Sequence, residues 1–205
     1  MVAQHHQDLA ELNKQAIQLI KRFLHGEAQA FQQLMQLYGP RVHRMIRKMI
    51  YSYHDAEDVN NEIWLKVAQN LHKFDQALPF HAWLFRLASN ACIDYLRKKR
   101  DIAMEDEHIH YRLHQEQGTG NDSPESQYLQ KELQQQVHAL LEHLDETDRL
   151  ILTLRFTEQL SYDEIGGIVG MSKNTVGTRL FRARRQLKEL MAQHIPERRL
   201  ADVPF

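Results

Sequence analysis

The sequence predicts an all-α protein made of two small helical domains joined by an acidic linker, and three observations predict it. The 205 residues include only 8 Gly and 5 Pro, too few to punctuate a chain of many short strands. Apolar side chains recur at intervals of three and four over long stretches, the period of a helix buried on one side, and alternation by two is scarce. Charge is segmental: residues 1–100 carry 14 basic and 9 acidic side chains, residues 101–145 carry 2 and 10, and residues 146–205 carry 10 and 8. An acidic middle therefore separates two basic-leaning ends, a distribution that suits a polyanionic partner for the ends.

Composition also excludes several classes. Hydrophobic residues make up 42% and charged residues 26%, too apolar for wholesale disorder. The single cysteine, Cys92, rules out an internal disulfide framework and a cysteine-based zinc site, and it fits a reducing compartment. Met1 to Lys14 contains no apolar h-region, so no secretory signal is expected. No window approaches the ~18 uncharged apolar residues of a membrane span. A cytoplasmic protein is expected.

Taken in order, Leu9, Leu12, Ala16, Leu19, Ile20 and Phe23 predict a first helix ending before Gly26. Phe31, Leu34, Met35 and Tyr38, then Val42, Met45, Ile46 and Met49, predict a second, with a break allowed at Gly39-Pro40. Asp55 is placed to cap the third, in which Val59, Ile63, Val67 and Leu71 form the buried stripe. After a break near Asp75 to Pro79, a fourth helix buries Leu84, Leu87, Ala88, Ala91 and Tyr95 and runs into Arg97-Lys98-Lys99-Arg100. Residues 101–127, rich in Asp, Glu, His, Gln, Gly and Ser, read as a flexible acidic linker. Helical periodicity returns at Leu133, Val137, Leu140, Leu141 and Leu144 and continues through Leu150, Ile151, Leu154 and Phe156. The domains are drawn at 1–100 and 128–192, with a tail at 193–205.

The second domain holds the more specific motif. Ser161-Tyr162-Asp163-Glu164 has the capping-box form, Gly170 stops the short helix it opens, and Ser172 caps another running to about Met191. Two helices around a tight Gly turn make a helix-turn-helix unit. At ~100° per residue, Val176, Leu180, Ala183 and Leu187 fall on one side and Asn174, Thr178, Phe181, Arg182 and Arg185 on the other. Met171 to Lys188 contains six basic residues and no acidic one, whereas an ordinary solvated helix mixes signs. DNA is the expected ligand, through phosphates and base edges.

In the first domain, the Asp55 helix carries Glu57, Asn60, Asn61 and Glu62 outward, with Lys66 placed to pair with Glu62. Phe80, Trp83 and Arg86 precede Asn90, Asp94 and the Arg97–Arg100 run. Aromatics beside a basic run suit stacking on unpaired bases; Phe80 and Trp83 as ordinary core residues is the alternative.

At these residues the sequence resembles a known family. Phe31-Gln-Gln-Leu34 with Tyr38, Asp55-Ala-Glu-Asp-Val-Asn-Asn-Glu-Ile63, Phe74, Trp83-Leu-Phe-Arg-Leu-Ala-Ser-Asn90 and Asp94-Tyr-Leu-Arg97 resemble region two of a bacterial RNA polymerase sigma factor. Leu144 to Arg155, Leu160-Ser-Tyr-Asp-Glu-Ile165 and Thr175-Val176 with Arg179-Leu-Phe-Arg-Ala-Arg184 resemble region four. With no room for a region one or three, the chain is similar to the compact extracytoplasmic-function group.

The resemblance implies a transcription initiation factor with no chemistry, metal or cofactor of its own, partnered by core RNA polymerase, promoter DNA and an anti-sigma factor. It assigns docking on the clamp helices of the polymerase to Asp55, Glu57, Asp58, Asn61, Glu62 and Ile63, with the flap as a second contact. Minus-ten recognition, with a flipped-out base, falls to Phe80, Trp83, Arg86, Asn90 and Arg97, with Lys98, Lys99 and Arg100 beside them. Minus-thirty-five recognition falls to Ser172, Lys173, Asn174, Thr175, Thr178, Arg179, Arg182 and Arg185. Two departures stand out: the family often has Gln where Asn61 stands and commonly a basic residue where Gly177 stands.

Rival readings are an enzyme, in which His54-Asp55 with His43 or His81 forms a phosphohydrolase-like metal site, and a dimeric repressor that uses only the helix-turn-helix. The repressor leaves the Asp55 helix and the Phe80–Arg100 segment unexplained. His108, His110 and His114 beside Glu105, Asp106 and Glu107 are compatible with a metal sensor. The preferred reading is a solvated tether that keeps the two basic domains from collapsing onto each other, with an acidic mask over the DNA face as a further alternative.

Overall fold

In the computed structural model, which describes residues 2–105, 136 and 138–194, every regular element is helical. Helix α1 (Val2–Leu24) buries Leu9, Ala16 and Ile20 and gives way at Gly26, whose φ of 96° suits a residue without Cβ. Helix α2 (Ala28–Met49) runs straight through Pro40, so the break allowed at Gly39-Pro40 does not occur. Leu34 and Tyr38 before the proline and Val42 and Met45 after it are all fully buried. One continuous buried stripe across the site offsets the ~3 kcal/mol that an internal proline costs a helix.

Helix α3 (Tyr53–Asn70) begins three residues earlier than expected. Its cap is Ser52, whose Oγ accepts from the Asp55 amide at 3.3 Å, so Asp55 lies inside the first turn and its carboxylate is released for other use. A 3-10 turn (Leu71–Lys73) and an exposed loop at 75–79 lead to α4 (Phe80–Glu105). Asn13 of α1 caps α4 at long range, its Oδ1 accepting from the Phe80 amide at 2.7 Å. Helix α4 continues past residue 100, so a helix, not a loop, carries the chain out of the first half. Tyr38, Phe74 and Phe80 meet edge to face at the centre of this half, with centroids 5.2 and 5.4 Å apart.

A helical segment at 138–142 precedes α5 (Glu146–Phe156), α6 (Tyr162–Val169) and α7 (Lys173–His194). The periodicity expected to run unbroken from Leu140 to Phe156 is interrupted at Asp145, which caps α5 by accepting from the Thr147 amide at 3.0 Å. Leu133, Val137, the histidines at 108, 110 and 114, the remainder of the acidic stretch and the tail from 195 lie outside the described residues.

The two halves pack directly, against the expectation of a tether that holds them apart. The cause is visible in α5, where Arg149, Leu150, Ile151, Leu152, Thr153 and Leu154 are consecutive and all buried. A helix apolar on one side only would be covered by its own domain; α5 is buried all round because α6 and α7 take one side and α2 the other. The seam has polar fasteners. Arg149 Nη1 donates to the Met49 carbonyl at 3.1 Å, Arg41 Nε to Glu158 Oε2 at 2.7 Å, and Arg100 Nη1 to Glu146 Oε1 at 2.7 Å.

Candidate nucleic-acid interface

The helix-turn-helix is built as its sequence implies. Ser161 Oγ accepts from the Glu164 amide at 3.3 Å while Glu164 Oε2 accepts from the Ser161 amide at 2.7 Å, completing the capping box. Gly170 takes φ 72°, and the Met171 amide closes the turn onto the Gly166 carbonyl at 3.0 Å. Ser172 then caps α7, its Oγ accepting from the Thr175 amide at 3.2 Å, and Lys173 pairs with Asp163 at 2.7 Å.

Helix α7 seats Val176, Leu180, Ala183 and Leu187 in the core and leaves Asn174, Thr178, Phe181, Arg182 and Arg185 exposed. Arg182 makes no ion pair with any described residue, while Arg185 only grazes Glu189 at 3.8 Å. Phe181 is 68% exposed, the most exposed large apolar side chain among the described residues. The helical projection puts it outward, but only the fold shows that nothing covers it. Arg179 is already engaged: its Nε and Nη2 donate to Asp148 and Asp145, each at 2.6 Å. In this arrangement it fastens α7 to the start of α5. Gly177 stands against the ring of Tyr162, where a Cβ would lie 3.5 Å from the nearest ring carbon.

On α4, Arg86, Asn90, Arg97 and Lys98 are exposed. Phe80 is not: it is fully buried in the aromatic cluster, so its side chain is unavailable to stack a base. Trp83 packs on Phe74 and Phe80 at 5.3 and 5.7 Å but keeps part of its surface open. Lys99 is drawn to Asp55 at 3.2 Å and Arg100 to Glu146. A cleft of about 240 Å³ has Asn90, Asp94 and Arg97 on one wall and Ile168, Val169 and Met171 on the other. The second half therefore overhangs the α4 face expected to meet DNA.

On α3, Asp58, Asn61 and Glu62 are exposed, and the expected Glu62–Lys66 pair forms at 2.6 Å. Ile63 is fully buried on the core stripe and cannot form part of a docking surface. Asp55 faces α4, accepting from the Tyr95 hydroxyl and from Lys99. Burial alone would raise the Asp55 carboxyl, but those two hydrogen bonds hold it below its ordinary value. Glu57 is engaged by His43 Nε2 at 2.8 Å. Leu65, one turn beyond Asn61 and Glu62, is 59% exposed and is the member of this face that sequence reasoning missed. Its signal was available, since position 65 falls off the Val59, Ile63, Val67 stripe.

The metal reading finds little support at this helix start. Among the described residues no group of three or more His, Cys, Asp or Glu side chains is gathered to hold an ion. Cys92 is buried, and burial pushes its thiol up to about 12. Among the described residues no helix is long and apolar enough to cross a membrane.

Comparison with known proteins agrees with this geometry. Residues 34–102 match the sigma-70 region 2 family and residues 134–187 the sigma-70 region 4 family. The chain is 31% identical to the RNA polymerase sigma-H factor of Pseudomonas aeruginosa over 180 residues, 85% of this chain and 92% of that one. It is 27% identical to the extracytoplasmic-function sigma factor SigW of Bacillus subtilis, over 83% of this chain and 93% of that one. Among solved structures it is similar to CnrH in complex with the cytosolic domain of CnrY, with TM-score 0.63 and 25% identity over 88% of this chain and 97% of that one. A sigma factor RpoE in complex with the anti-sigma factor NepR from Bartonella quintana shares the fold, with TM-score 0.61 and 22% identity over 79% of this chain and 96% of that one.

Proposed function

Because the chain belongs to the sigma-70 family of RNA polymerase sigma factors, in the extracytoplasmic-function group, we propose that it works through three separate faces. It directs promoter-specific initiation by core polymerase in the cytoplasm. The exposed face of α3, with Asp58, Asn61 and Glu62 around Leu65, docks on the polymerase clamp helices. Arg86, Asn90, Arg97 and the open edge of Trp83 engage the melted minus-ten strand. Asn174, Thr178, Phe181, Arg182 and Arg185 enter the major groove at the minus-thirty-five element, Arg182 as a base reader and Phe181 as an apolar neighbour for thymine methyls. Magnesium and nucleotidyl transfer belong to the polymerase.

The observation that carries this reading is the outward face of α7, where exposed cations and amides surround an unpaired Arg182 on a helix whose other side is locked into the core. An ordinary solvated helix mixes both signs of charge, whereas Met171 to Lys188 carries six basic residues and no acidic one.

The reading also requires the seam to open. Minus-thirty-five and minus-ten centres are about 25 base pairs apart, or about 85 Å at ~3.4 Å per pair. A packed chain of this size is about 45 Å across. The closed body cannot reach both elements, and in it α4 is overhung by the second half. An anti-sigma factor, of the kind bound to the RpoE neighbour, would act by holding the closed form.

The test is run-off transcription with core polymerase across a promoter library, comparing wild type, Asp58→Ala with Glu62→Ala, and Arg182→Ala. Wild type is expected to give discrete start sites. The α3 pair loses polymerase binding, and Arg182→Ala loses about 10–100-fold in promoter discrimination while still binding polymerase. Absence of polymerase binding and of any start site with wild type refutes the proposal.

A further inference from the structure

The seam between the halves contains a buried titratable group that the promoter reading does not use. His138, in the segment before α5, is 8% exposed and its ring rests 4.9 Å from the ring of Tyr51, which lies in the turn between α2 and α3. Neither ring nitrogen has a hydrogen-bond partner among the described residues. The charged groups that face it are Arg47 and Lys48 from α2, Arg149 from α5 and Glu142 from its own segment. Three are cations. Arg47 is oriented within the first half by donating to the Tyr51 carbonyl at 2.7 Å, and Arg149 across the seam by donating to the Met49 carbonyl at 3.1 Å, so closure is what sets the imidazole among cations from both halves. The carboxylate of Glu142 stands 3.8 Å from Nδ1, beyond hydrogen-bonding distance, and its side chain is 37% exposed, so water screens it.

We propose that the seam is a proton-sensitive latch: His138 can take up a proton only when the two halves part, so acidification favours the open form. The promoter reading enters only in what the opened faces then do.

The sign follows from the surroundings. Burial first, then Arg149, Arg47 and Lys48, push the closed-state imidazole down to about 3, while a ring released to water titrates near its ordinary 6.5. Above 6.5 both forms are neutral and the latch is insensitive. Below it the open form binds the proton first, and closure weakens progressively until the closed-state value is reached. From about pH 7.5 to about pH 5.5 the opening constant should rise about tenfold. A second buried histidine also lies at the seam: His81 is 5% exposed, with Nε2 3.7 Å from Glu164 Oε1 on the other half. The difference between wild type and a His138 variant is therefore the diagnostic quantity.

The experiment is hydrogen exchange of the intact chain, read on peptides lining the seam and corrected for the intrinsic pH dependence of amide exchange. Wild type, His138→Gln, His138→Phe and His81→Gln are compared at about pH 7.5 and about pH 5.5. The phenylalanine variant keeps the ring contact with Tyr51 and guards against a folding defect in the glutamine variant. The expected result is an acid-induced opening about tenfold larger in wild type than in either His138 variant, with the His138-dependent response persisting in His81→Gln. His138 variants that open with the same pH dependence as wild type would overturn the latch. Run-off transcription on the same preparations separates the two readings: linkage without promoter-specific transcripts refutes the function and leaves the latch, and transcripts without linkage do the reverse.

Discussion

The ion pair between Arg41 and Glu158 joins α2 to the turn after α5, and removing one partner should cost more than removing both. Glu158 is only 1% exposed at its side chain and Arg41 15%, with Nε and Oε2 at 2.7 Å, and the guanidinium also lies 5.6 Å from the Phe85 ring centroid. Arg41→Met keeps an apolar stem against Phe85 but takes its hydrogen-bonded cation from the buried Glu158 carboxylate. Breaking a buried pair in this way costs about 3–5 kcal/mol, and the lower figure applies because water reaches the Arg41 side. Glu158→Gln retains an oxygen that can accept from Arg41 and loses only the charge assistance, for about 1–1.5 kcal/mol. Arg41→Met with Glu158→Leu removes the charge and its partner together and should lie within about 1 kcal/mol of wild type. Urea unfolding measures this, with Trp64 and Trp83 fluorescence reporting the first half and far-ultraviolet circular dichroism the whole, coincidence of the two curves licensing the free energies. Equal losses below about 0.5 kcal/mol for both single variants would show that the pair is a surface contact and the seam a loose one.

Two adjacent glycines and one strained residue give further tests. Gly167 is exposed inside α6 and a Cβ there meets nothing within 4 Å, whereas at Gly166 it would lie 2.5 Å from the Met171 carbonyl oxygen. Gly167→Ala should therefore stabilise by about 0.5–1 kcal/mol, whereas Gly166→Ala should destabilise because the backbone of the turn must shift, both measured as midpoint shifts on thermal unfolding. Gln159 is exposed with φ 54°, the one described non-glycine residue in the left-handed region. Gln159→Gly relieves roughly 1 kcal/mol of backbone strain, partly offset by the freer unfolded chain, so a small rise in melting temperature is expected and a fall would refute the strain.

Much of this protein was legible in its sequence because local signals there are redundant. The capping box at Ser161, the stop at Gly170 and the Val176, Leu180, Ala183, Leu187 stripe each specify the same helix-turn-helix, and each is settled within a turn or two of chain. The Val59, Ile63, Val67, Leu71 stripe fixed which side of α3 is outward by the same arithmetic. What failed was whatever depended on a partner distant in sequence. Pro40 did not break α2 because its two flanking stripes meet one core, and Asp55 did not cap α3 because Ser52 did and Tyr95 and Lys99, some forty residues on, claimed its carboxylate. Phe80 and Trp83 look alike in sequence, yet only the fold buries one completely and leaves the other an open edge. Periodicity also cannot say that α5 is covered on both sides, since six consecutive buried residues read as one ambiguous run until α2 is placed against them. Helix order and the composition of the exposed faces follow from intervals of three and four residues and so can be read along the chain. Which charges already pair with each other, and that the two halves close over the α4 face, follow only from the fold, because electrostatic pairing and packing act between atoms close in space that the chain holds a hundred residues apart.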